Sequence, residues 1–353
     1  MKKAVLFLMI MAVFSLLAGE RTIATFSIVA YDPVMDEWGV AVQSKFFAVG
    51  AVVPEAEAGR GAIASQAWGN TIYRQKAMDL FGEGIDAEDA LNQLLESDSN
   101  YQYRQVGLID FEGNPAAFTG ENCSQWAGHR TGEHYAVQGN ILAGPAVIDS
   151  MAAAFENADG ALAEKLLQAL EAGQKAGGDK RGRQSAALLV VSKNGGYSGF
   201  DDRMIDIRVD DNARPIEELN RLYDIHKETF LGSSYIRIGI SALNNSNHRK
   251  ADEAIARALN IAEQDGNNAM LYNSIAWEFA INDYRLKDAL VYAQKAINME
   301  PEDGNIWDTL AEIYARMGNY EKAVQSEERA VEFAPDNPLF REKLRQWQEE
   351  LQY

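Results

Sequence analysis

Few side chains in these 353 residues fall at the spacings of a familiar catalytic or metal site. The chain has no Gly-x-Ser-x-Gly elbow, no His-Glu-x-x-His pair, no Gly-x-x-x-x-Gly-Lys-Ser phosphate loop and no dinucleotide fingerprint, so no cofactor is expected. Of the four histidines, His226 and His248 fall in or near helical patterns, while His129 and His134 flank Glu133 at a spacing that fits no strong metal motif. Residues 126–134 read as a loop, which gives His129 a structural or substrate-contacting role rather than a metal-binding one. Cys123 is the only cysteine, so neither an intrachain disulfide nor a Cys-x-x-Cys centre can form, and it reads as a small buried or half-buried apolar group. The densest polar and flexible stretch is Gly177-Gly-Asp-Lys-Arg-Gly-Arg-Gln-Ser185, directly before an apolar strand. Arg181 or Arg183 can grip a carboxylate there with a two-pronged hydrogen bond; on the plainer reading, Asp179 pairs with a neighbouring base in a solvated turn.

Strands and helices must position these groups, and they come in blocks. Residues 25–33 and 38–45 are β-rich runs around a turn built on Asp32, Pro33 and Asp36, which signals a hairpin. Both runs are apolar or small on both alternating faces, so they are expected to be covered on both sides. Residues 61–67 form a third short strand, 73–81 and 87–95 have helical spacing, and 104–110 with 115–119 read as a second hairpin turned at Glu112-Gly113-Asn114. After 135–140 come helices at 147–155 and 162–172, a buried strand at 185–192 and a half-exposed one at 204–210. A helix then runs from Pro215 towards His226. Grouped strands with helix pairs on either side predict an α+β domain, two sheets face to face with helices outside.

Beyond residue 230 the pattern is helical only. Ala289, Ala296 and Pro301 recur 34 residues later as Ala323, Ala330 and Pro335, the period of tetratricopeptide repeats, and Trp307, Leu310, Ala311, Tyr314, Gly318 and Tyr320 fall in register. The earlier copy departs from the pattern at Asn273 and Ala280, and a degenerate copy spans 235–265. Phe340, Leu344, Trp347 and Leu351 line one face of a last, capping helix.

Met1-Lys2-Lys3 followed by an apolar run from Ala4 to Ala18 reads as a secretory leader too short to span a bilayer. An exported, periplasmic or extracellular protein is expected, without a membrane span once the leader is cut. The formal charge of −19 becomes −21 when Lys2, Lys3, Arg21 and Glu20 leave with residues 1–24. Such a surface repels phosphate backbones and anionic lipid, which disfavours nucleic acid and membrane partners.

Thr25-Phe-Ser-Ile-Val-Ala, Gly39-Val-Ala-Val-Gln-Ser-Lys-Phe-Phe-Ala-Val-Gly, Ser65-Gln-Ala-Trp-Gly-Asn, Trp126-Ala-Gly-His, Tyr135-Ala-Val-Gln-Gly-Asn-Ile-Leu-Ala-Gly and the 177–185 motif together resemble the domain-of-unknown-function family numbered 1028, over about residues 25–226. That family is assigned to the N-terminal-nucleophile (Ntn) hydrolase superfamily, and the resemblance implies a four-layer αββα sandwich. Superfamily chemistry uses the first mature residue's side chain as nucleophile and its own α-amine, pKa about 7.7–8.0, as base. The matching residue is Thr25. A cut after Ala24 frees it directly, whereas a cut after Ala18 leaves a six-residue tail to be trimmed. On the same resemblance Lys45, beside Ser44, lowers the pKa of the amine, Asn140 donates to the oxyanion, and Gln66, Trp68, Asn70, Asp179 and Arg181 wall the pocket.

The expected organisation is thus a leader over 1–24, an Ntn-hydrolase-like domain over 25–226 and helical repeats over 230–353. The expected function is an exported amidohydrolase that cleaves a small amide or peptide-like bond through an acyl-enzyme on Thr25. The competing expectation is a catalytically silent binding or scaffold protein that works through its repeats. Repeats of this kind suit a protein or peptide in their groove, or self-association into a homo-oligomer.

Overall fold

The structure, a computed structural model, describes residues 25–264 and 268–351; the expected leader at 1–24 lies outside them. The chain forms two compact units. The first holds the described residues up to Tyr31 together with Trp38–Val190 and Asp206–Asn220; the second holds Asp32–Glu37, Val191–Ile205 and the described residues from Arg221 onward.

Among the described residues ten strands build two sheets. The six-stranded sheet has the order β10 (Arg203–Val209), β9 (Ser185–Val191), β2 (Glu37–Ser44), β1 (Thr25–Asp32), β8 (Tyr135–Asn140), β7 (Gly128–Gly132). The four-stranded sheet runs β3 (Pro54–Glu57), β4 (Gly61–Ala67), β5 (Arg104–Ile109), β6 (Pro115–Thr119), antiparallel throughout. Strands β5 and β6 face β7 and β8 across the sandwich. Helices α1 (Ile72–Gly82) and α2 (Ala87–Glu96) cover the smaller sheet, and α3 (Ala146–Asn157) and α4 (Leu162–Lys175) cover the larger one. These are the four layers expected from the sequence.

Each layer follows from local chemistry. Asp86 caps α2 by accepting from the Asp89 amide at 2.9 Å, and the helix then buries Ala87, Ala90, Leu91 and Leu94 against Ile63, Val106 and Leu108 of the smaller sheet. Every residue of β2, β4, β8 and β9 is buried, as covered strands require. Two expectations are corrected. Residues 126–134 are not simply a loop: 128–132 form edge strand β7, with Gly128 opposite Gly139 and His129 opposite Gln138. Its exposed, polar central residues hide it from a hydrophobic-pattern search, and such residues blunt an open sheet edge. The short strand β3, with its alternate residues Pro54 and Ala56 buried, was likewise not expected.

The second unit is mainly helical. Helix α5 (Pro215–His226) continues without a break through a π-helical turn, Lys227–Leu231, into α6 (Gly232–Asn244). Helices α6 and α7 (His248–Gln264), α8 (Ala269–Ile281) and α9 (Leu286–Met299), and α10 (Gly304–Arg316) and α11 (Tyr320–Phe333) pack as successive hairpins, closed by α12 (Pro338–Glu350). The degenerate stretch is therefore a full hairpin. Asn268, Asp303, Asn319 and Asn337 cap α8, α10, α11 and α12 through their side chains. Fully buried Ala289, Ala296, Ala323 and Ala330 allow close helix approach, and Trp347 of α12 seals Ala311, Ala323 and Val324; Leu351 is exposed at the helix end.

Within this unit Arg257 of α7 joins three carboxylates: Asp32 Oδ2 at 2.8 Å, Glu253 Oε1 at 2.9 Å and Glu37 Oε2 at 3.3 Å. Glu37 is wholly buried, and its Oε1 accepts no hydrogen bond from the described residues. No helix among the described residues is long and apolar enough to cross a membrane.

Candidate functional site

Thr25 opens β1 and is fully buried. Side chains alternate along a strand; Phe26 lies against Gly173 of α4, so Thr25 and Ser27 face the smaller sheet. Register sets their neighbours: Thr25 is opposite Asn140 and Ser27 opposite Gln138, while in the smaller sheet Gln66 is opposite Gln105 and Gln105 opposite Thr119. One end of the space between the sheets is thereby lined with hydroxyls and amides.

They are hydrogen-bonded to one another. Thr25 Oγ1 lies 3.1 Å from Ser44 Oγ. The Gln66 amide donates to Thr25 O (3.3 Å), Gln105 Oε1 (2.9 Å) and Gln138 O (3.4 Å), and its Oε1 accepts from Ser27 Oγ at 2.7 Å. Asn140 Nδ2 donates to Gln105 Oε1 at 3.0 Å, and Gln138 Nε2 donates to Ser27 Oγ at 2.6 Å. Gln105 Nε2 reaches Gly139 O, Thr119 Oγ1 and Gly128 O at 2.8, 2.9 and 3.1 Å. Buried amides left unpaired cost about 1–3 kcal/mol each; in this network only Gln138 Oε1 is buried without a partner among the described residues, and the remaining bonds hold the members in fixed positions. Gly107 leaves room for it, since a Cβ there would overlap Gln138 Oε1.

The backbone beside this end is strained. Ala67, directly after Gln66, and Ile141, directly after Asn140, have φ of 67° and 52°, and Ala48 has 54°. A β-branched residue at positive φ is rare, and each such residue costs about 1–3 kcal/mol, a strain that clusters at functional sites.

The other expected residues are placed as follows. Asp179 is buried and accepts from the Lys45 amide at 2.8 Å, from the Arg181 amide at 2.8 Å, and from Arg181 Nη2 and Nε at 2.9 and 3.2 Å. The pair therefore locks the 177–183 loop to the end of β2. The exposed Lys45 ammonium donates to Arg183 O at 3.3 Å. Asn70 lies just before α1, its Oδ1 accepting from the Ile72 amide at 3.1 Å, and it donates to Asp98 Oδ2 at 3.1 Å. Arg104 beside Asp98 holds that carboxyl well below the usual range. Trp68 is 60% exposed, with its ring against Tyr103 and its carbonyl bonded to Arg104. His129 Nδ1 lies 2.9 Å from Thr119 Oγ1, at the surface end of a chain through Gln105 and Gln66 to Thr25. Cys123 donates to Arg104 O at 3.4 Å, and burial pushes its thiol up. Among the described residues no three His, Cys, Asp or Glu side chains gather as a metal site.

Thr25, Ser44, Gln66 and Asn140 are thus brought together, whereas Asn70, Asp179 and Arg181 serve the loops around them. Sequence reasoning missed Ser27, Gln105, Gln138 and Thr119. The signal was available, because a glutamine in a strand covered on both sides is buried and usually paired, although Gln43 of β2 is buried with no partner for its amide among the described residues. Chemically, the site offers a hydroxyl among neutral amide donors. Among the described residues the only side-chain partner of Thr25 Oγ1 is Ser44.

A four-layer αββα sandwich with a polar seat at the start of β1, joined to tetratricopeptide-like hairpins, defines the architecture. Residues 25–219 match the family described as "Family of unknown function (DUF1028)", and the chain belongs to that family. Residues 280–346 match the tetratricopeptide repeat. The crystal structure of protein SPO2555 from Silicibacter pomeroyi, of the same family, is similar at 32% identity and a TM-score of 0.53, over 57% of this chain and 85% of that one. Superkiller protein 3 of Schizosaccharomyces pombe is 32% identical over 84 residues, 23% of this chain; the chain spans only 6% of that relative's length. The first TPR of Spaghetti (RPAP3), bound to an HSP90 peptide, is similar over 35% of this chain and 94% of that one, at 15% identity and a TM-score of 0.29.

Proposed function

We propose that the first unit is an amide hydrolase of the N-terminal-nucleophile type, made active when the bond between Ala24 and Thr25 is cut during export. The observation that carries this reading is the seat of Thr25: a buried hydroxyl at the first position of β1, 3.1 Å from Ser44 Oγ and opposite Asn140, where the family match also begins. Once freed, the α-amine of Thr25 takes the hydroxyl proton as Oγ1 attacks the substrate carbonyl. Asn140 steadies the oxyanion, an interaction worth about 3 kcal/mol when well aligned. The amine passes the proton to the leaving nitrogen as the C–N bond breaks, leaving an ester on Thr25, and water then releases the acid. Asp179, through the Lys45 amide, holds the end of β2 on which Ser44 sits.

A second reading concerns the helical unit, as the docking arm for an extended peptide. It is favoured by two polar cavities along α8, of about 280 and 270 Å³, that meet at Ser274.

The test begins with the N-terminal residue of the exported protein, expected to be Thr25; a mature chain that stably begins earlier sinks the nucleophile. An amide library is then screened with wild type and Thr25→Ala, and turnover is expected only with wild type.

A further inference from the structure

The cavities along α8 carry more information than their size. One is lined by Asn273, Ser274, Trp277 and Glu278 of α8 with Asn305 and Asp308 of α10; the other adds Glu228 and Asn268. Every charged residue in the two linings is a carboxylate: Glu228, Glu278 and Asp308. Asp308 already has a cation, since Lys343 of α12 lies 2.7 Å from its Oδ1 with the ammonium over the Trp277 ring at 4.8 Å. Glu278 has no cation within ion-pair distance among the described residues, only the Asn282 amide at 3.5 Å, and burial raises its pKa.

Independently, Asn273 is 8% exposed, and its Oδ1 accepts no hydrogen bond from the described residues. A buried acceptor of this kind is satisfied by an incoming N–H. The backbone N–H groups of a helix are already used, whereas an extended segment offers them at every second residue. Two cavities that share Ser274 along one helix also suit a chain of several residues better than a compact solute.

Resting on the peptide-docking reading above, we infer that this groove binds an extended peptide carrying a lysine or arginine, with a backbone N–H on Asn273 Oδ1 and the basic head on the Glu278 carboxylate. A carboxylate-bearing peptide would instead bring its charge against Glu228, Glu278 and Asp308, at like-charge cost.

The test uses the full-length mature protein and four fluorescein-labelled libraries of degenerate dodecapeptides, with lysine, arginine, glutamine or glutamate fixed at the centre. Anisotropy is expected to rank the lysine and arginine libraries at least tenfold above the glutamate library. Glu278→Lys, at a half-buried helix position, should erase that preference while far-UV circular dichroism stays unchanged. Asn273→Ala should weaken all binding at least fivefold; Asn273→Asp, which keeps an acceptor at that position, should retain the binding. Equal or tighter binding of the glutamate library overturns the charge assignment and leaves peptide docking standing. Binding of none of the four libraries overturns both. Competition by free spermidine as effective as that by the lysine library overturns the backbone contact.

Discussion

Burying Glu37 makes the stability of the helical unit depend on pH in a calculable way. Removal from water raises its pKa from 4.5 to about 7, Arg257 opposes the rise and Asp32 adds to it. A folded pKa above the unfolded one means that the folded state holds the proton more tightly. The associated stability is fully present below pH 4.5, falls as pH rises through the window from 4.5 to about 7, and is gone above it. At 1.36 kcal/mol per unit the window is worth about 3 kcal/mol. Glutamine mimics the protonated acid in size and cannot ionise, and Arg257 keeps Asp32 and Glu253. Urea unfolding of wild type and Glu37→Gln, followed by tryptophan fluorescence at half-unit steps from pH 4.5 to 8.5, should therefore show similar stabilities at the acid end. The variant should be ahead by about 3 kcal/mol at pH 8. Taking the difference between the two proteins cancels every other titrating group. A difference that stays constant from pH 4.5 to 8.5 refutes the assignment of a shifted pKa to Glu37.

Other substitutions test the sandwich and the repeats. Gly107→Ala should cost about 2–4 kcal/mol, read by thermal unfolding, because the new methyl displaces the Gln138 amide and breaks its bond to Ser27. Asp179→Ala should cost about 1–3 kcal/mol by leaving the Lys45 amide and the Arg181 N–H groups without their acceptor, and Asp179→Asn, which keeps an acceptor, should recover part of it; no loss in either variant would show that the carboxylate is not what holds the loop. Trp347→Ala should cost about 3–5 kcal/mol in the helical unit, and hydrogen exchange should show the amides of α10 and α11 opening together.

The chain order of strands and helices was legible because their apolar periods change cleanly at turns such as Glu112-Gly113-Asn114 and Gly177-Gly178. The repeats were legible from alanines 34 residues apart. Edge strand β7 was not, since hydrogen bonds to β8 create it and its own residues are polar and exposed. In the site, Thr25, Ser44, Gln66 and Asn140 were reached through quoted motifs, but the bonds of Gln105 and Gln138 depend on which residues two separate sheets bring face to face. The pairing of Asp179 with the Lys45 amide spans 134 positions in the chain. No local spacing rule encodes a contact of that range.

The seat around Thr25 is built of Ser27, Ser44, Gln66, Gln105, Gln138 and Asn140, none of which ionises in the range where the protein folds. Dipoles alone hold the threonine. None of these lining groups titrates, so in direct contact with Thr25 the proposed chemistry has one proton-dependent part, the amine that cutting the chain creates. Its rate should rise with pH along one limb and then level off, with no descending arm from an acid partner. Under the proposed function, cutting the chain is the one covalent switch of the site, and pH then acts on the rate through that single nitrogen.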